Sequence, residues 1–451
     1  MTTESAASDY TEMINAVAEC PVNLEDVDLF EPGAQEHWAE AYKILHAESP
    51  VQRIPGEGST PDTDGFVITK YQDIYDIVRD PWTFPQPGFA GAEGNSTAGM
   101  STEDGEASAL ADAMALNTLR PNLELHKAHR IELTDPWVGA TGAPRHRPMV
   151  EKFVDQLIDE WIDRDPAEIE FVEDFAAPLP QLVMTTILGW PLEDLEILRK
   201  WGQAQVRRFV YGKGHRNIMS DEEEMENARD LGDFMQYVQD QVTHKRENPG
   251  DDMTSFLTQV TYQAMNRKLT DNEVIGVLFG MHIGGLETTQ YAIAAEAQLL
   301  AENPELFQEL KADPSKVRFF AEEGMRIHAP TQGLSTRMAA KDVEIRGMPI
   351  PKGSILHLRY GAANLDGEEF GCPADVDLAR PNTGRHMTFS QGIRVCPGAG
   401  ISRLEQNIAW ERLTQRLDTL EFIPSKNDFR HQPGIMLGLW ELHMQFTKAA
   451  G

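Results

Sequence analysis

Apolar positions along this chain recur mainly at the three-to-four-residue spacing of helices, with a few short alternating runs between them. Residues 33–48 (GAQEHWAEAYKILHAE) read as an amphipathic helix, and Tyr71–Asp80 as a shorter one closed by Pro81. Val51–Ile54 and Phe66–Thr69 read as strands joined by a Gly/Pro/Asp loop. Periodicity then lapses into a glycine-rich stretch over residues 82–122, a loop of a length that serves either as a flexible lid or, over 91–107, as a disordered surface insertion. Helical patterns resume at Leu123–Val138 and continue over 145–164, 174–189, 192–211, 221–247 and 252–265. Leu334–Met338, Val343–Ile345 and Ile355–Leu358 read as short strands, with Met348–Gly353 as a turn before the last. A helix over Ile401–Leu420 and a strand-like tail from Glu421 complete a mainly α chain with small β-sheets, the α+β class.

The longest pattern starts at the capping box Thr270-x-x-Glu273 and runs without interruption to Asn303-Pro304. At about 1.5 Å rise per residue it predicts a rod of roughly 50 Å, enough to cross a domain. Its middle reads Gly284-Gly285-Leu286-Glu287-Thr288-Thr289. A mid-helix glycine costs about 1 kcal/mol relative to alanine, so this run is a poor choice for structure alone. A helix crossing eased by small residues, with Glu287 in solvent, is the plain alternative.

The second unusual stretch is Phe389-Ser390-Gln391-Gly392-Ile393-Arg394-Val395-Cys396-Pro397-Gly398-Ala399-Gly400. It places one cysteine in a glycine-rich loop, beside a fixed cation and ahead of a helix N-terminus, all of which favour a thiolate. Cys372 also precedes a proline, but Asp366, Glu368, Glu369, Asp375 and Asp377 around it oppose that charge.

The pattern F-x-x-G-x-R-x-C-x-G, filled by Phe389, Gly392, Arg394, Cys396 and Gly398, resembles the haem-binding loop of the cytochrome P-450 superfamily. The resemblance covers nearly the whole chain and points to haem-thiolate monooxygenases of the soluble bacterial type. It implies the P-450 fold, with haem b between the long central helix and the helix after the cysteine, and Cys396 as axial iron ligand. It implies that His126, Arg130, Arg337 and Arg394 meet the haem propionates. Gly284 and Gly285 would open a groove for O2, where Glu287 and Thr288 manage protons. Gly280, Ile283, Gly284, Leu334 and Met436 would line the substrate pocket. Glu323, Arg326 and Arg380 would form a buried structural triad. Pro397 has no N–H, which leaves the amides of Gly398 and Ala399 as donors to sulfur. The chain departs from the family at Ser390, often glycine there, and at Val376, commonly an aromatic.

The implied reaction inserts one oxygen atom of O2 into an apolar small molecule, by hydroxylation or oxidative dealkylation. No flavin- or NAD-binding segment is visible, so electrons from NAD(P)H are expected through separate partners, a ferredoxin and its reductase. Lys127, His129, Arg145, His146, Arg147, Arg385 and Arg403 are the candidate docking cations. Two other readings stay open: an H2O2-driven peroxygenase, against which Glu287-Thr288 argues, and a non-catalytic haem sensor.

Composition narrows this further. The 451 residues show no linker, repeat or composition break, so one domain is expected over 1–451, with an acidic leader over 1–32. A net charge of −32 argues against nucleic-acid binding. Three cysteines fit a reducing cytoplasm better than a disulfide framework. Neither a signal peptide nor a membrane anchor is legible in the polar N-terminus.

Overall fold

The computed structural model describes residues 16–60, 62–86, 119–120, 122–211, 220–333, 335–432 and 434–449. Most of the expected lid, residues 87–118, and the pocket candidate Leu334 therefore lie outside the described residues. Helices carry the fold, and short strands gather into small sheets, as the pattern implies.

The first long helix, Trp38–Glu48, buries Trp38, Ala41, Tyr42 and Leu45, a single stripe at helical spacing. It covers a four-stranded sheet in the order Val51–Ile54, Gly65–Ile68, Ile355–Leu358, Ser335–Met338. The middle pair is parallel, with Ile68 opposite Leu358, and the outer pairs are antiparallel. Every residue of Gly65–Ile68 is buried, which explains its continuous rather than alternating apolar pattern.

Three expectations fail for tertiary reasons. The helix expected over 252–265 ends at Gln259, because Thr261–Tyr262 pairs with Arg267–Lys268. Met348–Ile350 is a strand paired with Val343–Ile345, not part of a turn. The reversal lies at Arg346-Gly347, both at positive φ, as a tight hairpin requires. The last long helix spans Ala399–Arg416 and stops before Leu420, because Leu417–Phe422 pairs with His443–Lys448. Cross-strand hydrogen bonds there replace the final helical turn.

The central rod is also interrupted. Its capping box is present, with the Glu273 amide donating to Thr270 Oγ1 at 3.3 Å and the Thr270 amide to Glu273 Oε2 at 2.9 Å. The helix then runs as Asp271–Gly285 and restarts as Glu287–Glu302, because Leu286 leaves helical geometry at φ −93°, ψ −81°. Thr288 Oγ1 donates to the Gly284 carbonyl at 2.8 Å, a back-bond of the kind that bends helices at weak glycine pairs.

Beyond the break, the central helix packs on the helix that follows Cys396. Glu296 Oε2 accepts from Trp410 Nε1 at 2.5 Å, deep in the largest core cluster. Among the described residues, no helix is long and apolar enough to cross a membrane.

Candidate active site

The cysteine loop is a succession of tight turns. The Ser390 amide donates to the Met387 carbonyl at 2.7 Å, and the Cys396 amide to the Phe389 carbonyl at 2.8 Å. Gly392 lies at φ +73°, and an added Cβ would come within 3.2 Å of the Val78 carbonyl, so only glycine suits it. Ser390 is held at φ +59°, a conformation that glycine would adopt more easily. Its hydroxyl compensates by sharing a 2.9 Å hydrogen bond with Tyr360 Oη, which accounts for the departure at this position.

Burial pushes the Cys396 thiol up, while the backbone amides of Gly398 and Ala399 pull it back towards thiolate. Phe389 lies beside it between Arg403, 4.5 Å from the ring centroid, and His386 at 5.8 Å. By contrast, Cys372 and Cys20 are exposed.

The central helix supplies an open wall. Gly280 and Gly284 share one helical face with Ile283, and a Cβ on either glycine would meet nothing within 4 Å. Gly285 faces the other way, where a Cβ would press on Met184 at 2.6 Å, so its smallness serves packing. Met436 is buried and forms a β-bridge with Thr331, which brings the tail next to the segment that precedes residue 334. Glu287 accepts a 2.7 Å hydrogen bond from Tyr291 Oη, and burial raises its carboxyl to about 7 against the pull of Tyr291, Arg207 and Arg199.

Cations gather at one edge of the site. His126 is held down to about 4 by burial and by Arg394, Arg120 and Arg130. Burial together with neighbouring arginines lowers Arg120 and Arg394 to about 10. Burial also lowers Arg337, which in turn bears on Arg394. Asp135, 3.5 Å from Arg130, offsets only part of this charge. Nδ1 of His126 is buried with no hydrogen-bond partner. Four converging arginines and an orphaned imidazole nitrogen fit a dianionic group, as the two propionates of haem b would be. Sequence reasoning missed Arg120, whose only local signal is its place two residues before the helix cap Asn122.

Glu323, Arg326 and Arg380 lie together in the core. Arg326 grips Glu323 through two bonds of 2.8 and 2.9 Å, and Arg380 Nε lies 3.1 Å from both carboxylate oxygens. The remaining guanidinium protons of Arg326 go to the carbonyls of Asn364, Pro373 and Asp375. Thr388, next to the cysteine loop, donates to the Met325 carbonyl at 2.7 Å and ties loop to triad.

The candidate docking cations do not form a free basic face. His129 and His146 are buried. Arg147 pairs with Glu151 and Glu411, Arg385 with Glu369, and Arg403 with Glu322. Exposed Lys127, and Arg145 beside Asp251, stay closest to the expectation.

The cytochrome P450 family model matches residues 124–439. Cytochrome P450 107B1 of Saccharopolyspora erythraea is 29% identical over 403 residues, 86% of this chain and 90% of that one. Polyketide biosynthesis cytochrome P450 PksS of Bacillus subtilis is 29% identical over 304 residues, 67% and 71% of the two chains. The structure of P450BioI, in complex with an acyl carrier protein ligated to hexadec-9Z-enoic acid, superposes with a TM-score of 0.76 at 26% identity, covering 92% and 98% of the chains. Epothilone D-bound P450epoK shares the fold, with a TM-score of 0.80 at 24% identity over 94% and 99%. The chain thus belongs to the cytochrome P450 family, whose members are haem-thiolate monooxygenases that bind haem b through a cysteine thiolate.

Proposed function

We propose that Cys396 is the iron ligand and that the chain works as one domain, oxidising an apolar small molecule held between the central helix and the C-terminal tail. Haem b, when bound, supplies the activation of O2 and the insertion of one oxygen atom into the substrate. Cys396 holds it as thiolate, with Gly398 and Ala399 amides moderating the charge on sulfur and Phe389, Gly392 and Gly398 shaping the loop. Arg120, His126, Arg130, Arg337 and Arg394 neutralise its propionates. The Thr288 hydroxyl, whose proton goes to the Gly284 carbonyl, offers its oxygen as an acceptor to the open space there, and Glu287 gives up protons. Glu323, Arg326 and Arg380 keep the loop in place without taking part in the chemistry.

The observation that carries this reading is the helix break itself. A hydroxyl back-bonded to Gly284 beside open space, next to a buried acid that titrates near neutrality, suits proton delivery to a dry pocket. Gly280, Ile283 and Met436 make the substrate side apolar. Electrons come from a ferredoxin and its reductase in the cytoplasm, docking near Lys127 and Arg145. A library of apolar compounds screened for a substrate-induced Soret shift tests the substrate class. Turnover with the redox partners and NAD(P)H tests the electron route. Equal turnover with H2O2 alone would favour a peroxygenase instead.

A further inference from the structure

Glu287 is the end of a hydrogen-bonded chain that runs through Tyr291 to Gln432. Its Oε2 accepts the Tyr291 hydroxyl at 2.7 Å, and the same hydroxyl lies 2.8 Å from Oε1 of Gln432. A phenol has one proton to donate and cannot give it to both oxygens. With Glu287 ionised, the phenol donates to the carboxylate, and the Gln432 carbonyl is left facing the phenol oxygen. With Glu287 protonated, its own O–H donates to the phenol oxygen, and the phenol proton goes to Gln432. With the Gln432 amide oriented oxygen-first, as it stands here, only the second arrangement satisfies both oxygens.

The geometry is rigid. Tyr291 is buried one turn beyond Glu287, and a Cβ at Gly438 would strike its ring at 2.3 Å, so the tail closes over the phenol at a glycine. The Gln432 amide donates to the Gly438 carbonyl at 2.8 Å, which fixes the loop that presents Gln432. Outside lies a cavity of about 20 Å³, room for about one water, bordered by Gln181, Arg199, Gln203, Glu287, Gln290 and Gln432. Arg199 and Arg207, both from the helix Leu195–Tyr211, are the charged groups that bear on Glu287, and Arg199 is itself paired with Glu173. The glutamines bring polarity without charge.

We propose that Glu287, Tyr291 and Gln432 form a proton-holding relay in which the Gln432 carbonyl retains the phenol proton, so that Glu287 keeps its own until that proton is drawn towards Thr288. When Glu287 loses its proton, the phenol O–H turns from Gln432 to the carboxylate. A proton arriving through the cavity water then restores the carboxyl, and the phenol turns back. Tyr291 and Gln432 are positioning residues that act through Glu287. The inference rests on Glu287 as the proton source and adds what sets the pH range over which it serves.

The test is a pH titration of the resting holoenzyme followed by infrared difference spectroscopy of the Glu287 carboxyl C=O band. Loss of that band in Glu287→Gln assigns it. Gln432→Leu removes the acceptor that favours the protonated form, so the band should vanish at lower pH, by about 1 pH unit. Tyr291→Phe removes a donor to the carboxylate, so the band should persist to higher pH. Opposite shifts support the relay. Wild-type titration in Gln432→Leu, or shifts of both variants in one direction, overturns it. A relay with the expected shifts, but with unchanged coupling of electrons to product in Glu287→Gln, would refute Glu287 as the proton source and leave the hydrogen-bond arrangement standing.

Discussion

The Thr289 hydroxyl donates to the Ser402 hydroxyl across 3.1 Å, joining the central helix just past its break to the helix that follows Cys396. Ser402 also accepts from Gln406 Nε2 at 2.9 Å, so its hydroxyl is pinned from both sides. The two walls between which haem is expected are thereby fixed within one turn of Thr288 and two turns of Cys396. Each prediction below tests one part of that frame.

Cys396→Ser should abolish the red-shifted Soret band of the ferrous–CO complex. Cys20→Ser and Cys372→Ser should keep it, since both thiols are exposed whereas Cys396 is partly buried. Retention of the band in Cys396→Ser, with loss in Cys372→Ser, would reverse the ligand assignment.

Thr288→Ala should leave haem content and substrate affinity near wild type while diverting electrons from product to H2O2. The hydroxyl at the Gly284 carbonyl is the group removed. The ratio of H2O2 formed to NAD(P)H consumed measures the effect, and an unchanged ratio rules out a role in proton delivery.

Arg326→Ala should destabilise the fold by roughly 3–5 kcal/mol, because it leaves Glu323 as a buried carboxylate that has lost a partner. Three backbone carbonyls lose their donor as well. Arg326→Lys should rescue little, since an ammonium cannot reproduce the planar fork. Urea unfolding midpoints and haem bound per chain report the outcome; a wild-type midpoint in Arg326→Ala would refute the structural role.

Glu296 ties stability to pH. Burial holds its carboxyl well above the ordinary value, opposed by Trp410 and reinforced by Glu322. The folded state therefore keeps a proton that the unfolded chain releases as pH rises past the ordinary carboxylate range. Stability from this group is complete at low pH and falls as pH rises towards the folded-state value. Glu296→Gln removes the titration and keeps an acceptor for Trp410. Its stability advantage should grow by up to about 1.4 kcal/mol per pH unit above the carboxylate range. A gap that stays constant between pH 5 and 8 in thermal unfolding (~3 pH units of titration) would exclude this linkage.

Sequence alone determined what short windows encode. Phe389, Gly392, Arg394, Cys396 and Gly398 are legible because each meets a local demand, a tight turn, a fixed charge or a reachable sulfur, within a few residues. The capping box at Thr270 and the helical stripe of Trp38–Glu48 are local in the same way. Glycines at 284 and 285 marked where the central helix would be weak. Whether it would break was decided at Leu286 by packing and by the Thr288 back-bond.

Only the tertiary structure could settle pairings between distant segments. Leu417–Phe422 became a strand because His443–Lys448 lay beside it, and Met348–Ile350 because Val343–Ile345 did. Arg120 joined the cation cluster through burial, which no local pattern shows, and the same burial removed His129 and His146 from the docking face. The contact of Tyr291 with Gln432 spans 141 residues of chain. A side chain's type and spacing are written in the sequence, whereas its solvation and its partner depend on what the rest of the chain places against it.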